Sequence, residues 1–419
     1  MDITTHFPTG KIAHERAMRR KRIGYVWQIL FIFATVIAIL FLAILLVSII
    51  DSVFGYAVMA DTLPVPTLIE GRESLDELTR PELESLLKEN LSRGMLRKVT
   101  YDKALEDRDG NDLKALVEQY VIQPQVLRTW GLWASLTEQE EIRKFAEEHP
   151  GSYIMFRNWM TPSFIIAAQS SNPLIAGIRT AFLGSMWVLL VTFLFSFPFG
   201  IGAALYLEEY ARKTRLTKIM QLNIFNLSAI PSIIYGLLGL AFFVRVLEPF
   251  TSGAVFTAGE AAVANGRTIL SGGLTLGLLV LPIIIINTQE AIKAVPDSLR
   301  QSSFGLGATK WQTIWHHVLP ASIGRILTGA ILAMSRALGE TAPLVVIGAS
   351  TFISVDPTGV FSKFTTLPIQ IYQWSARPQG AYRNIAAAAI ISLLVLLLVV
   401  NSSAIIMRDR ITKKKRLER

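Results

Sequence analysis

The chain contains no cysteine. That excludes a disulfide framework and thiolate metal sites. Charge is also scarce: 17% of the residues are Asp, Glu, Lys or Arg, against about 25% in an average soluble domain. Of the five histidines, His14, His149, His316 and His317 are not at metal-ligand spacing, and His6 stands alone. There is no phosphate-cradling Walker loop, no G-x-S-x-G and no H-E-x-x-H. These absences leave no residue set with which the chain would carry out chemistry of its own.

What is present is apolar. Of 419 residues 51% are hydrophobic, and the mean hydropathy is +0.43. Such an excess points to a membrane protein. The net charge of +9 is unevenly spread: residues 61–160 hold 13 basic and 19 acidic residues, and the remainder holds 28 and 13. An acidic segment is therefore set into a basic membrane body. Nucleic-acid binding would require a basic soluble part, and here the soluble part is the acidic one.

A run of about 20 apolar residues spans the bilayer core as a helix. Six such runs occur, near 25–50, 178–207, 218–247, 271–288, 325–350 and 385–407. The first follows Arg19-Arg20-Lys21-Arg22 and is too long for a secretory signal, whose apolar core is about 7–15 residues. Short-loop basic residues mark the cytoplasmic side. They cluster in the N-terminal tail, in the loop with Arg212, Lys213, Arg215 and Lys218, in the loop with Lys293, Arg300 and Lys310, and in the C-terminal tail. With six spans all four fall on one side, which predicts cytoplasmic termini and an outside insert.

The expected architecture is an all-α polytopic membrane protein. It divides into a basic tail (1–24), a first transmembrane helix (25–50), an acidic and mainly helical extracytoplasmic insert (51–176), a five-helix core (177–407) and a basic tail (408–419). Within the insert, Thr79-Arg80-Pro81-Glu82 has the capping-box pattern. Leu83, Leu86, Leu87 and Leu91 follow at helical spacing, with Gly94 as a stop. Thr137-Glu138-Gln139-Glu140 reads as a second cap, opening a helix that ends near His149-Pro150-Gly151. The insert carries no catalytic pattern and reads as a spacer or docking domain.

Three motifs lie in the core. The first is the loop 298–320. Gln301, Ser302 and Ser303 are small or polar, Gly307 follows three residues later, and nine residues beyond it comes His317-Val318-Leu319-Pro320. Small residues let a helix seat in a partner's groove, and Gly307 accepts the positive φ of a sharp turn. Phe304 and Trp311 are available to pack on that partner, and Pro320 is expected to end the element where the chain re-enters the membrane. Glu260-Ala261-Ala262 with Gly266 copies the opening half of this spacing, but lacks the Leu-Pro ending and falls on the opposite side.

The second motif is Arg336-Ala337-Leu338-Gly339-Glu340-Thr341-Ala342-Pro343. If its helix enters near Arg325, Arg336 lies about 16 Å deep at 1.5 Å per residue. An isolated charge at such depth costs on the order of 2.5–3.5 kcal/mol, so it is expected to face protein or a watery path. Glu340, four residues on, shares its helical face, and a structural ion pair is the alternative reading. The order Arg-then-Glu is the less favourable one for a helix, whereas a guanidinium fork matches phosphate oxygens. The third motif is Ala229-Ile230-Pro231-Ser232-Ile233-Ile234-Tyr235-Gly236. Its proline is expected to kink a span and leave the Ser232 and Tyr235 hydroxyls near the path, or else to serve packing alone, with Gly236 and Gly239 at close helix contacts.

The loop spacing resembles that by which membrane subunits of ABC importers grip their ATPase. Residues 175–407 resemble the permease subunits of phosphate-specific ABC importers, the PstA type in particular. The matching pieces are Ala181–Ser185, Pro198–Tyr210, Ile230–Leu237, Gly305–Trp311 and Arg336–Leu344. The chain departs from that family at Gln301-Ser302-Ser303, where Glu-Ala-Ala is typical, and at His317, where Ile is typical. The resemblance implies the six-helix ABC permease fold and one half of an ATP-driven importer in the bacterial cytoplasmic (inner) membrane. Its partners would be a PstC-like second permease, a PstB-like dimeric ATPase that binds the ATP and Mg, and a periplasmic PstS-like phosphate-binding protein. Inorganic phosphate would be the cargo, and this chain would hold no cofactor. The implied path residues are Arg336 and Glu340, with Ser232, Tyr235 and Thr341 beside them. The implied coupling residues are Gln301, Ser302, Ser303, Phe304, Gly307, Trp311, Leu319 and Pro320. Permeases for molybdate, sulfate or phosphonate, a secondary transporter and a membrane-anchored receptor are the alternatives.

Overall fold

The computed structural model describes residues 11–61, 78–91, 96, 99–100, 104–122, 124–256, 265–349 and 352–417. Five helices are long and apolar enough to cross a membrane: Ala17–Val53, Arg179–Tyr210, Ile269–Lys293, Lys310–Gly339 and Gly380–Lys413. A sixth candidate, Arg215–Ser228 with Ser232–Val246, is bent by 103° at its break.

The first helix, α1 (Lys11–Val53), leads without a loop into strand β1 (Phe54–Asp61). β1 pairs antiparallel with β2 (Pro124–Thr129) on one side and β3 (Ser152–Asn158) on the other. This three-stranded sheet is absent from the sequence reading, which placed only helices in the insert. β1 buries Gly55, Ala57, Val58 and Met59 but shows no clean two-residue alternation, and its partners come from far along the chain.

The insert's helices are α2 (Arg80–Asn90), α3 (Gly110–Val117), α4 (Leu132–Thr137), α5 (Gln139–Glu147) and α6 (Pro162–Ile166). The capping box of α2 forms: the Thr79 amide and hydroxyl both donate to Glu82 Oε2 at 2.7 Å. Leu83 and Leu87 enter a small core with Leu105, Leu113 and Val117. Gly94 lies outside the described residues. Thr137 is not a cap. It closes α4 and donates its hydroxyl to the Trp133 carbonyl at 3.0 Å, so Glu138 opens α5 instead.

The membrane body is built around α10 (Ile269–Lys293), most of whose residues are buried, whereas α1 is exposed along nearly all of its described length. Around α10 pack α7 (Arg179–Leu205), α8 (Arg215–Ser228), α9 (Ser232–Gly239), α13 (Leu319–Gly339) and α14 (Ala342–Ile347). The coupling segment contributes α11 (Asp297–Gly305) and α12 (Lys310–Thr313). α15 (Leu367–Ser375) and α16 (Gly380–Leu417) complete the chain. One apolar cluster, including Val53, Trp159, Phe164, Trp374 and Ile385, welds the sheet end of the insert to α15 and α16.

Two spans are broken rather than continuous. Pro231 does more than kink its span: it separates α8 from α9 at nearly a right angle. Proline leaves the carbonyl four residues earlier without its helical donor. That carbonyl belongs to Leu227, which accepts from the Ile230 N–H at 3.2 Å and from the Tyr235 hydroxyl at 2.8 Å, the latter bracing the bend. The fifth span breaks at Glu340, whose backbone is extended, so α14 is a separate short helix.

Candidate translocation and coupling site

Pro320 does not end the coupling element. Ile314–Val318 is a widened turn in which the Leu319 N–H donates to the Ile314 carbonyl, five residues back. Pro320 follows directly on this widened turn, which accommodates its missing N–H without ending the helix. The helix consequently runs through Lys310–Gly339 as one rod, with Leu319 and Pro320 half-buried inside it. Lys310 and Arg336 thus lie on one continuous helix.

The turn before this rod is built as the spacing demanded. Gly307 has φ +82° and nothing within 4 Å of where a Cβ would stand. Its glycine is needed for backbone conformation rather than for space. Thr309 caps the rod through a reciprocal box with Gln312. Ser303 is buried, with its hydroxyl 2.9 Å from that of Thr313, which ties α11 to the rod. Gln301 and Ser302 are exposed, and the Ser302 hydroxyl donates to the Ser298 carbonyl at 2.8 Å.

Phe304 and Trp311 stand in the open, as expected, together with two residues that the sequence reading passed over. Leu306 is 90% exposed, and Trp315 stacks on Trp311 with ring centroids 5.5 Å apart. Leu306 occupies an unspecified position of the loop pattern, so only its exposure marks it. A cluster of exposed apolar side chains of this kind marks a docking surface.

The third missed feature is a clamp. Arg300 Nε and Nη2 both reach Glu209 Oε1, at 3.2 and 2.9 Å. Its Nη1 donates to the Val295 carbonyl at 2.7 Å and to Asp297 Oδ1 at 3.1 Å, and Nη2 also donates to the Ile292 carbonyl at 3.0 Å. The two side chains are 16% and 10% exposed. Next to this pair the Lys310 ammonium sits over the Tyr210 ring at 5.2 Å. The clamp fixes α11 to the end of the second span. In the sequence, Arg300 registered only as one more basic residue for orientation.

The other two motifs meet in space. A Cβ on Gly236 would come within 2.7 Å of Pro343 Cα, so glycine is required for α9 to lie against α14. Tyr235 is buried in a cluster with Ala333, Met334 and Ala337 of α13. Its hydroxyl is committed to Leu227 rather than free. Ser232 and Thr341 are half-buried at the starts of α9 and α14.

Arg336 lies in the last turn of the rod, not midway along it, where a cation is favoured by the negative end of the helix dipole. Its Nε lies 3.4 Å from Glu340 Oε1, a long contact, and its side chain is 52% exposed against 19% for Glu340. The guanidinium is thus oriented from one side and open on the other.

Residues 196–416 match the family described as "Binding-protein-dependent transport system inner membrane component". A relative from Bacillus subtilis, described as "Probable ABC transporter permease protein YqgI", is 31% identical over 55% of this chain and 76% of its own. The "Phosphate transport system permease protein PstA" of Haemophilus influenzae is 35% identical over 51% of this chain and 68% of its own. Among solved structures, the MetNI methionine ABC transporter in an inward-facing conformation aligns over 59% of this chain and 99% of its own. The identity is 18% and the TM-score 0.40.

Proposed function

We propose a function from one premise: the chain belongs to the family of binding-protein-dependent transport system inner membrane components. It is a permease component and not the ATPase. Our reading is that it forms one half of the translocation path of an ATP-driven inorganic phosphate importer. The relatives named as PstA permeases support phosphate as the cargo.

The observation that carries the mechanism is Arg336. A guanidinium 52% exposed in the last turn of a long apolar rod is costly against lipid. It is compatible with a watery path completed by a second subunit. In this reading Arg336 is the anion contact, Glu340 is its counter-charge, and Ser232, Thr341 and Tyr235 border the path. Tyr235 acts there by bracing the Pro231 bend. Closure of a PstB-like ATPase dimer, which holds the ATP and Mg, moves α11 and the rod together through the Ser303–Thr313 contact and the Gly307 turn. The PstC-like permease faces Arg336, and a PstS-like protein delivers phosphate at the sheet end. That end is outside, and both termini and the loop 298–320 are cytoplasmic. This arrangement is supported by the end of α16, where Arg408, Asp409 and Thr412 line one cavity with Pro320, Gly324 and Arg325 of the rod.

Arg336→Ala tests the reading. Phosphate uptake into cells or proteoliposomes should be abolished while all subunits still co-purify. Normal uptake by the variant would sink the anion-contact role. Competition of phosphate uptake by molybdate, sulfate and phosphonate identifies the cargo. Stronger competition by one of these than by unlabelled phosphate would reassign it.

A further inference from the structure

At the sheet end a cavity of about 690 Å³ opens between β3, the segment 161–176 and the membrane body. Its lining is rich in neutral hydrogen-bonding groups, among them Asn158, Ser163, Ser170, Ser171 and Asn172. Arg157, at the end of β3, is the one charged residue among the described lining residues.

Two other cations at this end have carboxylates: Arg128 reaches Glu141 and Arg179 reaches Asp356, each at 2.9 Å. Arg377 instead donates to the Tyr382 hydroxyl at 2.6 Å. Arg157 has no carboxylate within ion-pair distance among the described residues. Its Nη2 donates to the Leu174 carbonyl at 2.8 Å. Its guanidinium lies over the Trp159 ring at 4.9 Å, and its Nε is buried with no hydrogen-bond partner. Burial pulls its pKa below the ordinary guanidinium value, with Tyr153 opposing slightly. A guanidinium does not escape this cost by losing its proton, because its pKa stays too high. A half-buried cation without a counter-charge is destabilising until one arrives. A carbonyl and an aromatic face orient Arg157 without neutralising it.

We propose that this cavity is an oxyanion site that takes a phosphate group, with Arg157 as the charged donor and the surrounding hydroxyls and amides as neutral donors. The group comes either from inorganic phosphate or from the headgroup of an anionic phospholipid. Guanidinium geometry suits both, since each presents two oxygens to one fork. The choice of phosphate among oxyanions rests on the proposed function. The existence of an anion site here does not.

The test uses the assembled complex in nanodiscs, without ATP or binding protein, and in an Arg336→Ala background that removes the proposed path contact. Binding of radiolabelled inorganic phosphate and retention of phosphatidylglycerol by native mass spectrometry are measured with Arg157 intact, with Arg157→Gln and with Arg157→Lys. Losing a charge-assisted fork should weaken retention roughly tenfold or more in Arg157→Gln. Arg157→Lys, which keeps the charge, should lose less. It keeps the test informative if the glutamine variant assembles poorly. Loss in the phosphate arm identifies the free anion as occupant, and loss in the lipid arm identifies the headgroup. Unchanged retention of both, at whatever melting temperature, overturns the proposal and leaves Arg157 a structural cation. If the Arg336-intact complex proves to import another oxyanion, the functional reading fails, while the comparison of Arg157 with its variants still reads the site.

Discussion

Two Arg–Glu pairs in this chain behave as opposites. Arg300 and Glu209 are 16% and 10% exposed, in contact at 2.9 Å, with three further acceptors around the guanidinium. Arg336 and Glu340 are 52% and 19% exposed, in contact at 3.4 Å through Nε. The first joins elements 91 residues apart, and the second joins two ends of one turn. A buried pair with its donors occupied holds structure. An exposed pair in loose contact keeps donors for something else. The pair most conspicuous in the sequence is the weaker one in the fold.

The largest stability effect is expected where the buried pair is broken. Arg300→Ala leaves Glu209 buried without its partner, at a cost of about 3–5 kcal/mol. Thermal unfolding of the purified complex should record it, and the swap of Glu209→Arg with Arg300→Glu should recover part of the loss. An unchanged melting temperature would erase the contrast between the pairs.

Next in size is Gly307→Val. The site has open space for a Cβ, so the penalty is that of a left-handed backbone, about 1–2 kcal/mol. It falls on the coupling turn, and ATPase co-purification should drop. Unimpaired co-purification would count against the loop as the grip. Tyr235→Phe removes the hydroxyl that braces the Leu227 carbonyl, a loss of about 1 kcal/mol. The same thermal assay reads it. An unchanged melting temperature would mean that the Ile230 amide, which also donates to the Leu227 carbonyl at 3.2 Å, holds the bend without the hydroxyl.

Arg336→Ala is expected to have the smallest effect on stability, below about 1 kcal/mol for a pair so exposed, despite abolishing uptake. A melting-temperature loss as large as that of Arg300→Ala would make Arg336 a structural lock and remove the distinction between the pairs.

Much of this was legible from residue order. The apolar runs placed the helices, Gly307 announced its turn, and Thr79 with Glu82 announced a cap. Each is a short-range fact: hydropathy over 20 residues, one backbone angle, a side chain reaching three residues along. Pro231 announced a bend but not its 103°, because the angle depends on what α9 packs against, and that is the backbone of Pro343. The sheet was missed because β1 pairs with strands drawn from residues 124–158, and nothing within β1 names them. Leu306 and Trp315 were missed because exposure is a property of the fold.

The sequence by itself determined that this chain crosses a membrane, where the Gly307 turn lies and which arginine is out of place in an apolar helix. Hydrophobic burial and local backbone sterics act within a few residues and leave a readable trace. Only the tertiary structure decided that Pro320 lies within a continuous rod, that Glu209 holds Arg300, and that Arg157 has a cavity and, among the described residues, no carboxylate. Each of these depends on which distant groups are brought within hydrogen-bonding range, and that is settled by packing.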